Sequence, residues 1–132
     1  MYRWMLAAAL ALGLSGAAAA QSTPEGVIGA QIDAFLEDDF AAAFDYASPG
    51  IRQMFQTPEN FGRMVQQGYP MVWRPAEVRY GRSEDRGGLV LQEVMVTDAS
   101  GRVYTLLYRM QRAGETWKIA GVQILEAAQV GA

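Results

Sequence analysis

The sequence predicts an α+β domain in which N-terminal helices cover an antiparallel sheet of four strands. Three observations carry this. Thr23-Pro24, Ser48-Pro49 and Thr57-Pro58 repeat one helix-start pattern in the first half of the chain. From Glu77 onward the residues become β-branched, aromatic and alternating. The separators between the later runs are short and contain glycine, so successive strands must run antiparallel, because a parallel crossover needs a dozen or more residues.

The helices follow from local chemistry. A hydroxyl residue caps the first free N–H groups, and a proline directly after it loses nothing, since its missing donor would be unpaired there anyway. After Pro24, residues Val27, Ile28, Ile32, Phe35 and Leu36 recur at helical spacing and form one apolar face. Either Asp38 or Asp39 can cap a second helix carrying Phe40, Ala43, Phe44 and Ala47. A third short helix is expected from Pro49 to Phe55. A fourth starts at Pro58, presents Phe61, Met64 and Val65, and ends at Gly68. Tyr69 to Pro75 is expected to be extended, because Tyr69 and Arg74 each precede a proline and so avoid the helical region.

Four strands are expected at Glu77 to Glu84, Leu89 to Thr97, Val103 to Arg112 and Thr116 to Leu125. Gly87-Gly88, Gly101 and Gly114 mark the hairpins between them. In the third strand Tyr104, Leu106, Tyr108 and Met110 are the expected core face. The fourth is apolar on both faces apart from Lys118 and Gln123, which suggests cover beyond its own helices, such as a second subunit.

Ahead of the domain, Arg3 precedes an apolar run from Met5 to Leu14, and small residues end in Ala18-Ala19-Ala20. This is the order of a cleavable export signal: a basic end, an apolar stretch, then a small-residue cleavage site. Residues 1–20 are therefore expected to be removed between Ala20 and Gln21, leaving residues 21–132 as one domain in the periplasm or secreted. The apolar run is about half the roughly 20 residues a membrane span requires, so no anchor is expected after cleavage. With no cysteine, neither a lipidated N-terminus nor a disulfide is available, and packing alone must hold the fold.

Losing Arg3 from the 11 basic residues leaves 10 against 14 acidic ones. That acidic balance argues against nucleic-acid binding, which needs a basic face. There is no histidine to move protons near neutral pH. The absence of cysteine also removes thiol nucleophiles and thiolate metal sites, and neither a phosphate-binding glycine loop nor a nucleophile elbow is present. No cofactor, metal site or catalytic residue is expected. Asp38-Asp39 reads as helix capping, and Glu84-Asp85 as a solvated pair beside a turn.

The order of parts resembles the nuclear-transport-factor-2-like (SnoaL-like) superfamily, and within it the exported proteobacterial family catalogued as domain of unknown function 4864. The resemblance rests on Gln31-Ile32-Asp33-Ala34-Phe35, Ala43-Phe44, Ser48-Pro49-Gly50-Ile51, Phe55, Thr57-Pro58-Glu59, Met64-Val65, Gly68-Tyr69-Pro70, Arg74-Pro75, Tyr108 and Trp117 to Gly121. It implies a cystatin-like cone whose helices close over a concave sheet, often around a pocket, and it implies no activity.

In such a cone Tyr69, Trp73 and Tyr108 are candidates to line the mouth, since each joins an apolar ring to a polar tip; the alternative is that they close the core. Glu93, flanked by Val90, Leu91, Val94, Met95 and Val96, lies either on the wet face or beside a cation such as Arg109. The leading expectation is a non-catalytic module binding a small apolar or amphipathic molecule. The alternative is an interaction or homodimerisation module using the open sheet face. A third reading, an enzyme built on a carboxylate and a tyrosine, would draw on Asp33, Asp45 beside Tyr46, or Glu93.

Overall fold

A computed structural model describes residues 23–129, so the expected export signal at residues 1–20 lies outside the described residues. Among the described residues five helices precede four strands. They are α1 (Pro24–Leu36), α2 (Phe40–Asp45), α3 (Pro49–Phe55), α4 (Pro58–Gly68) and α5 (Pro70–Trp73), then β1 (Glu77–Asp85), β2 (Leu89–Thr97), β3 (Arg102–Ala113) and β4 (Thr116–Gln129). The strands form one antiparallel sheet in the order β1-β2-β3-β4. The fold is α+β.

The three hydroxyl-proline starts work as caps. Thr23 accepts from the Gly26 N–H at 3.0 Å, Ser48 from Ile51 at 3.4 Å and Thr57 from Asn60 at 3.1 Å. At the acidic pair Asp39 caps α2, accepting from the Ala42 N–H at 3.1 Å. Asp38 instead adopts a left-handed φ of 56° and accepts from Trp73 Nε1 at 2.9 Å and Arg74 Nη2 at 2.8 Å. These two bonds, Trp73 first, hold the Asp38 carboxyl below its ordinary pKa.

The stretch expected to be extended is not. Pro70 starts a four-residue helix, α5, and only Tyr69 and Arg74, the residues before the two prolines, leave the helical region. α4 ends for the same reason: Tyr69 cannot continue it ahead of Pro70, and Gly68 has no left-handed φ. Each hairpin does use one left-handed glycine, at Gly87, Gly101 and Gly114.

One face of the sheet is covered and the other is open. In β2 the residues Val90, Gln92, Val94 and Val96 are buried, while their neighbours Leu91, Glu93 and Met95 are half-buried on the open face. Leu106, Tyr108 and Met110 continue the covered face in β3. Above it, Phe61 of α4 is the hub of the helical layer, with ring centroids of Phe44, Phe35 and Phe55 at 5.4, 5.9 and 6.0 Å.

Bulges explain the doubly apolar fourth strand. Ala120 is an extra residue between the Met110–Ile119 and Arg109–Gly121 pairs, and Leu125 is another before the Thr105–Glu126 pair. Each extra residue resets the alternation, so Ile119 and Val122 both belong to the covered side although three residues apart. The apolar pattern that suggested a second subunit thus has a source within the strand itself. A third bulge sets Gly81 and Arg82 of β1 opposite Glu93. Gln92, fully buried, places its Nε2 2.9 Å from the Glu93 carbonyl and 3.3 and 3.4 Å from those of Gly81 and Arg82.

β4 lies at the edge of the sheet, and its first half is shielded. The Ile119 N–H donates to the Tyr46 carbonyl at 2.9 Å and the Ser48 N–H donates to the Ile119 carbonyl at 2.8 Å, so residues 46–48 lie along it as a short parallel partner. Lys118 Nζ donates to the Asp45 carbonyl at the end of α2 at 2.6 Å.

Candidate functional site

The edge of β4 and the helical layer do not meet completely, and a cavity of about 260 Å³ remains between them. Its walls come from four places. α1 supplies Gln31 and Phe35, α3 supplies Ile51, Met54 and Phe55, α4 supplies Phe61, Met64 and Val65, and β4 supplies Ile119 to Val122. Ala47, Tyr69, Val72 and Tyr108 complete it. Among the described residues no lining side chain carries a charge.

The mouth is made by α3, a helix of seven residues with none fully buried. Ile51 and Phe55 turn inward and are half-buried, whereas Met54 is 72% exposed at the rim. A helix this short with so little burial has small packing energy of its own. Its position depends on its ends: Ser48 is tied to Ile119, and Asn60 Nδ2 donates to the Phe55 carbonyl at 3.0 Å.

Two of the four sequence candidates belong to this cavity. Tyr69 Oη donates to the Val122 carbonyl at 3.1 Å, which fixes the ring against β4 and satisfies an edge carbonyl. Tyr108 is wholly buried, and its hydroxyl has no hydrogen-bond partner among the described residues. Burial, with smaller contributions from Tyr80 and Tyr69, pushes its pKa well above that of an ordinary tyrosine, so the group is a neutral O–H at any physiological pH.

The other two lie elsewhere. Trp73 is turned by α5 toward Asp38, with the Arg74 guanidinium 4.2 Å from its ring centroid, and it takes no part in the cavity wall. A helical turn at Pro70 brings Tyr69 and Val72 to the cavity and directs Trp73 outward. Glu93 is on the open face of the sheet, 3.8 Å from Arg82 and beside Leu91, Leu107 and Leu125. Arg109, the cation expected near it, instead donates from Nη2 to the Ala120 carbonyl at 3.3 Å. The four candidates therefore do not form one site.

The carboxylates proposed for acid–base work are not in the cavity either. Asp45 is on the exposed side of α2. Asp33 is exposed and borders a separate shallow groove with Glu77 and Tyr80. Burial, then the Glu25 and Asp33 carboxylates, raise the Tyr80 pKa, which makes that phenol a weaker acid. Among the described residues no group of three or more acidic side chains is placed to hold a metal ion.

One cavity residue, Gln31, entered the sequence reading only as part of the Gln31–Phe35 stretch and not as a site residue. Gln31 occupies a position within the apolar face of α1, is buried, and donates from Nε2 to the Ala43 carbonyl at 3.0 Å. Only its place one residue before Ile32 marks it, since a glutamine there ordinarily reads as surface.

Comparison with known proteins gives the fold a relative and the sequence a family. The solution structure of a SEC-C motif containing protein from Rhodopseudomonas palustris superposes with a TM-score of 0.62 over 80% of this chain and 81% of that one, at 14% identity. An identity that low speaks to the fold alone. No curated protein matches the chain. Residues 17–132 match the family model of the domain of unknown function DUF4864, and the chain belongs to that family.

Proposed function

We propose that this protein is a binding module that holds a small, uncharged, largely apolar molecule in the cavity between α3, α4 and β4. The observation that carries the reading is the cavity itself: about 260 Å³, walled by Phe, Ile, Val and Met side chains, with no ionisable carboxylate in the wall. Ligand pockets are mostly apolar with a few placed polar groups, and run from about 300 to 1,000 Å³ for drug-sized molecules. A slightly smaller space suits a single ring or a short chain. Residues 1–20 support export, so the proposed place of action is the periplasm or the cell exterior, as a free domain after cleavage at Ala20. Helices followed by an antiparallel meander over a cavity also support placing the family within the SnoaL-like superfamily.

Saturation-transfer NMR on the protein with ethylbenzene, acetophenone and 2-heptanone tests the reading. Binding that is lost at least tenfold in Ile51→Trp, which fills the mouth, supports it; no transfer to any of the three in the wild-type protein sinks it.

A second reading is self-association through the open face of the sheet, carried by Leu91, Leu107 and Leu125, which surround one depression there. Leu125 is 45% exposed. Sedimentation showing a dimer that Leu107→Lys dissolves would support it. A monomer at millimolar concentration removes it.

A further inference from the structure

One residue of the cavity wall carries a hydrogen-bond donor that has no acceptor among the described residues. Tyr108 lines it, is wholly buried, and holds an O–H that reaches no acceptor among the described residues. Nearly all buried polar groups in folded proteins are paired, because an unpaired one costs about 1–3 kcal/mol. The other side-chain donors of the wall, Tyr69 Oη and Gln31 Nε2, are engaged. Tyr69 donates to Val122, and the Gln31 amide donates to Ala43. Tyr108 is the exception, and it stands in the apolar wall of the cavity.

From this we infer that the ligand is a neutral molecule bearing a hydrogen-bond acceptor, a carbonyl or ether oxygen, which Tyr108 receives while the apolar body fills the space under α3 and α4. This rests on the binding reading above and narrows it to a chemical class. An ionised carboxylate is disfavoured, because no cationic side chain lines the cavity and a charge buried without a partner costs several kcal/mol. A hydrocarbon fits the walls but leaves the Tyr108 hydroxyl unpaired. A hydroxyl held neutral by burial can only donate to such a ligand or accept from it; it cannot serve as an anion. The hydroxyl is screened from solvent by its neighbours, so a bound oxygen must take the place of one of those contacts.

Three single-ring probes separate the cases: acetophenone with a carbonyl, ethylbenzene without one, and phenylacetate, ionised at pH 7.5. Affinities are measured on the wild-type protein and on Tyr108→Phe. The expected result is that Tyr108→Phe weakens acetophenone about tenfold, the worth of one buried hydrogen bond, and changes ethylbenzene less than twofold. Phenylacetate should bind wild type at least tenfold more weakly than acetophenone. Carbonyl-labelled acetophenone gives a measurement independent of the variant: its ¹³C carbonyl resonance should move downfield in the wild-type complex relative to an apolar solvent. Equal affinities for acetophenone in the two proteins, an unshifted carbonyl, or phenylacetate binding as tightly as acetophenone would each overturn the inference while leaving the cavity a binding site. Failure of all three probes on wild type would instead overturn the binding reading itself.

Discussion

Gln92 and Glu93 are neighbours in β2 and differ by a single atom type at the side-chain end, yet they live in different solvents. Gln92 faces the helices, is buried, and sets its amide against three carbonyls around a bulge. Glu93 faces outward, 28% exposed at its side chain, with the exposed end of Arg82 3.8 Å away. The same contrast divides the whole sheet. On the covered face each polar group has a task or, at Tyr108, a conspicuous lack of one; on the open face polar and apolar groups alternate against water. Substitutions on the two faces should therefore differ in size and, at one position, in sign.

The largest effect belongs to the covered side. Phe61 touches three other phenylalanine rings and is buried, so Phe61→Ala opens a cavity beneath α4 as well as losing transfer energy. A loss of about 3–5 kcal/mol is expected, read as a fall in the urea midpoint at unchanged slope. A loss below about 1 kcal/mol would mean that the helical layer is loosely held and that the two faces are less different than their burial implies.

Gln92→Leu comes next. Leucine fits the covered face by polarity but leaves the Gly81, Arg82 and Glu93 carbonyls without the Nε2 donor. The expected cost is about 1–3 kcal/mol, with faster amide exchange confined to β1 near the bulge. Gly81 lies close against Glu93 there: a Cβ at that position would sit 3.2 Å from the Glu93 Cβ. The bulge therefore has little freedom to rearrange.

How far the sequence disclosed this division depends on the range of the interaction. Thr23-Pro24, Ser48-Pro49 and Thr57-Pro58 were legible because a cap is satisfied within three residues. The hairpin glycines were legible for the same reason. The alternation of Tyr104, Leu106, Tyr108 and Met110 predicted the covered face of β3, where no bulge falls within the run of side chains. Gln31 and Gln92 were not legible, because their buried amides reach carbonyls 10 to 12 residues away, besides the adjacent Glu93 carbonyl at Gln92, and no local pattern records those. The bulges at Ala120 and Leu125 made an edge strand look apolar on both faces. Trp73 was grouped with Tyr69 and Tyr108 on chemical type, and a single helical turn after Pro70 separated it from them. The cavity itself is a property of how α3 meets the edge of β4, and nothing in either segment alone announces it.

Tyr108→Phe should reverse the sign. In the unliganded protein it removes a hydroxyl that has no partner and keeps the ring that fills the space, so stability is expected to rise by about 1 kcal/mol. Thermal melting without ligand checks this. A fall would show that the hydroxyl is paired in solution, through an ordered water for instance, and would blunt the contrast between this residue and Gln92.

The smallest effect is expected at Glu93→Gln, and its smallness is informative. The substitution keeps shape and removes charge, so it isolates what the carboxylate does. Its nearest cation, Arg82, has a side chain 90% exposed at a separation of 3.8 Å, and such pairs contribute between nothing and about 1 kcal/mol in water. A change within about 0.5 kcal/mol is therefore expected, shrinking further as salt is raised. The same variant should leave acetophenone affinity unchanged, because Glu93 and the cavity lie on opposite sides of one strand layer. A loss of binding in Glu93→Gln would connect the two faces through β2 and make Gln92, whose amide bonds the Glu93 carbonyl at 2.9 Å, the first place to look for the link.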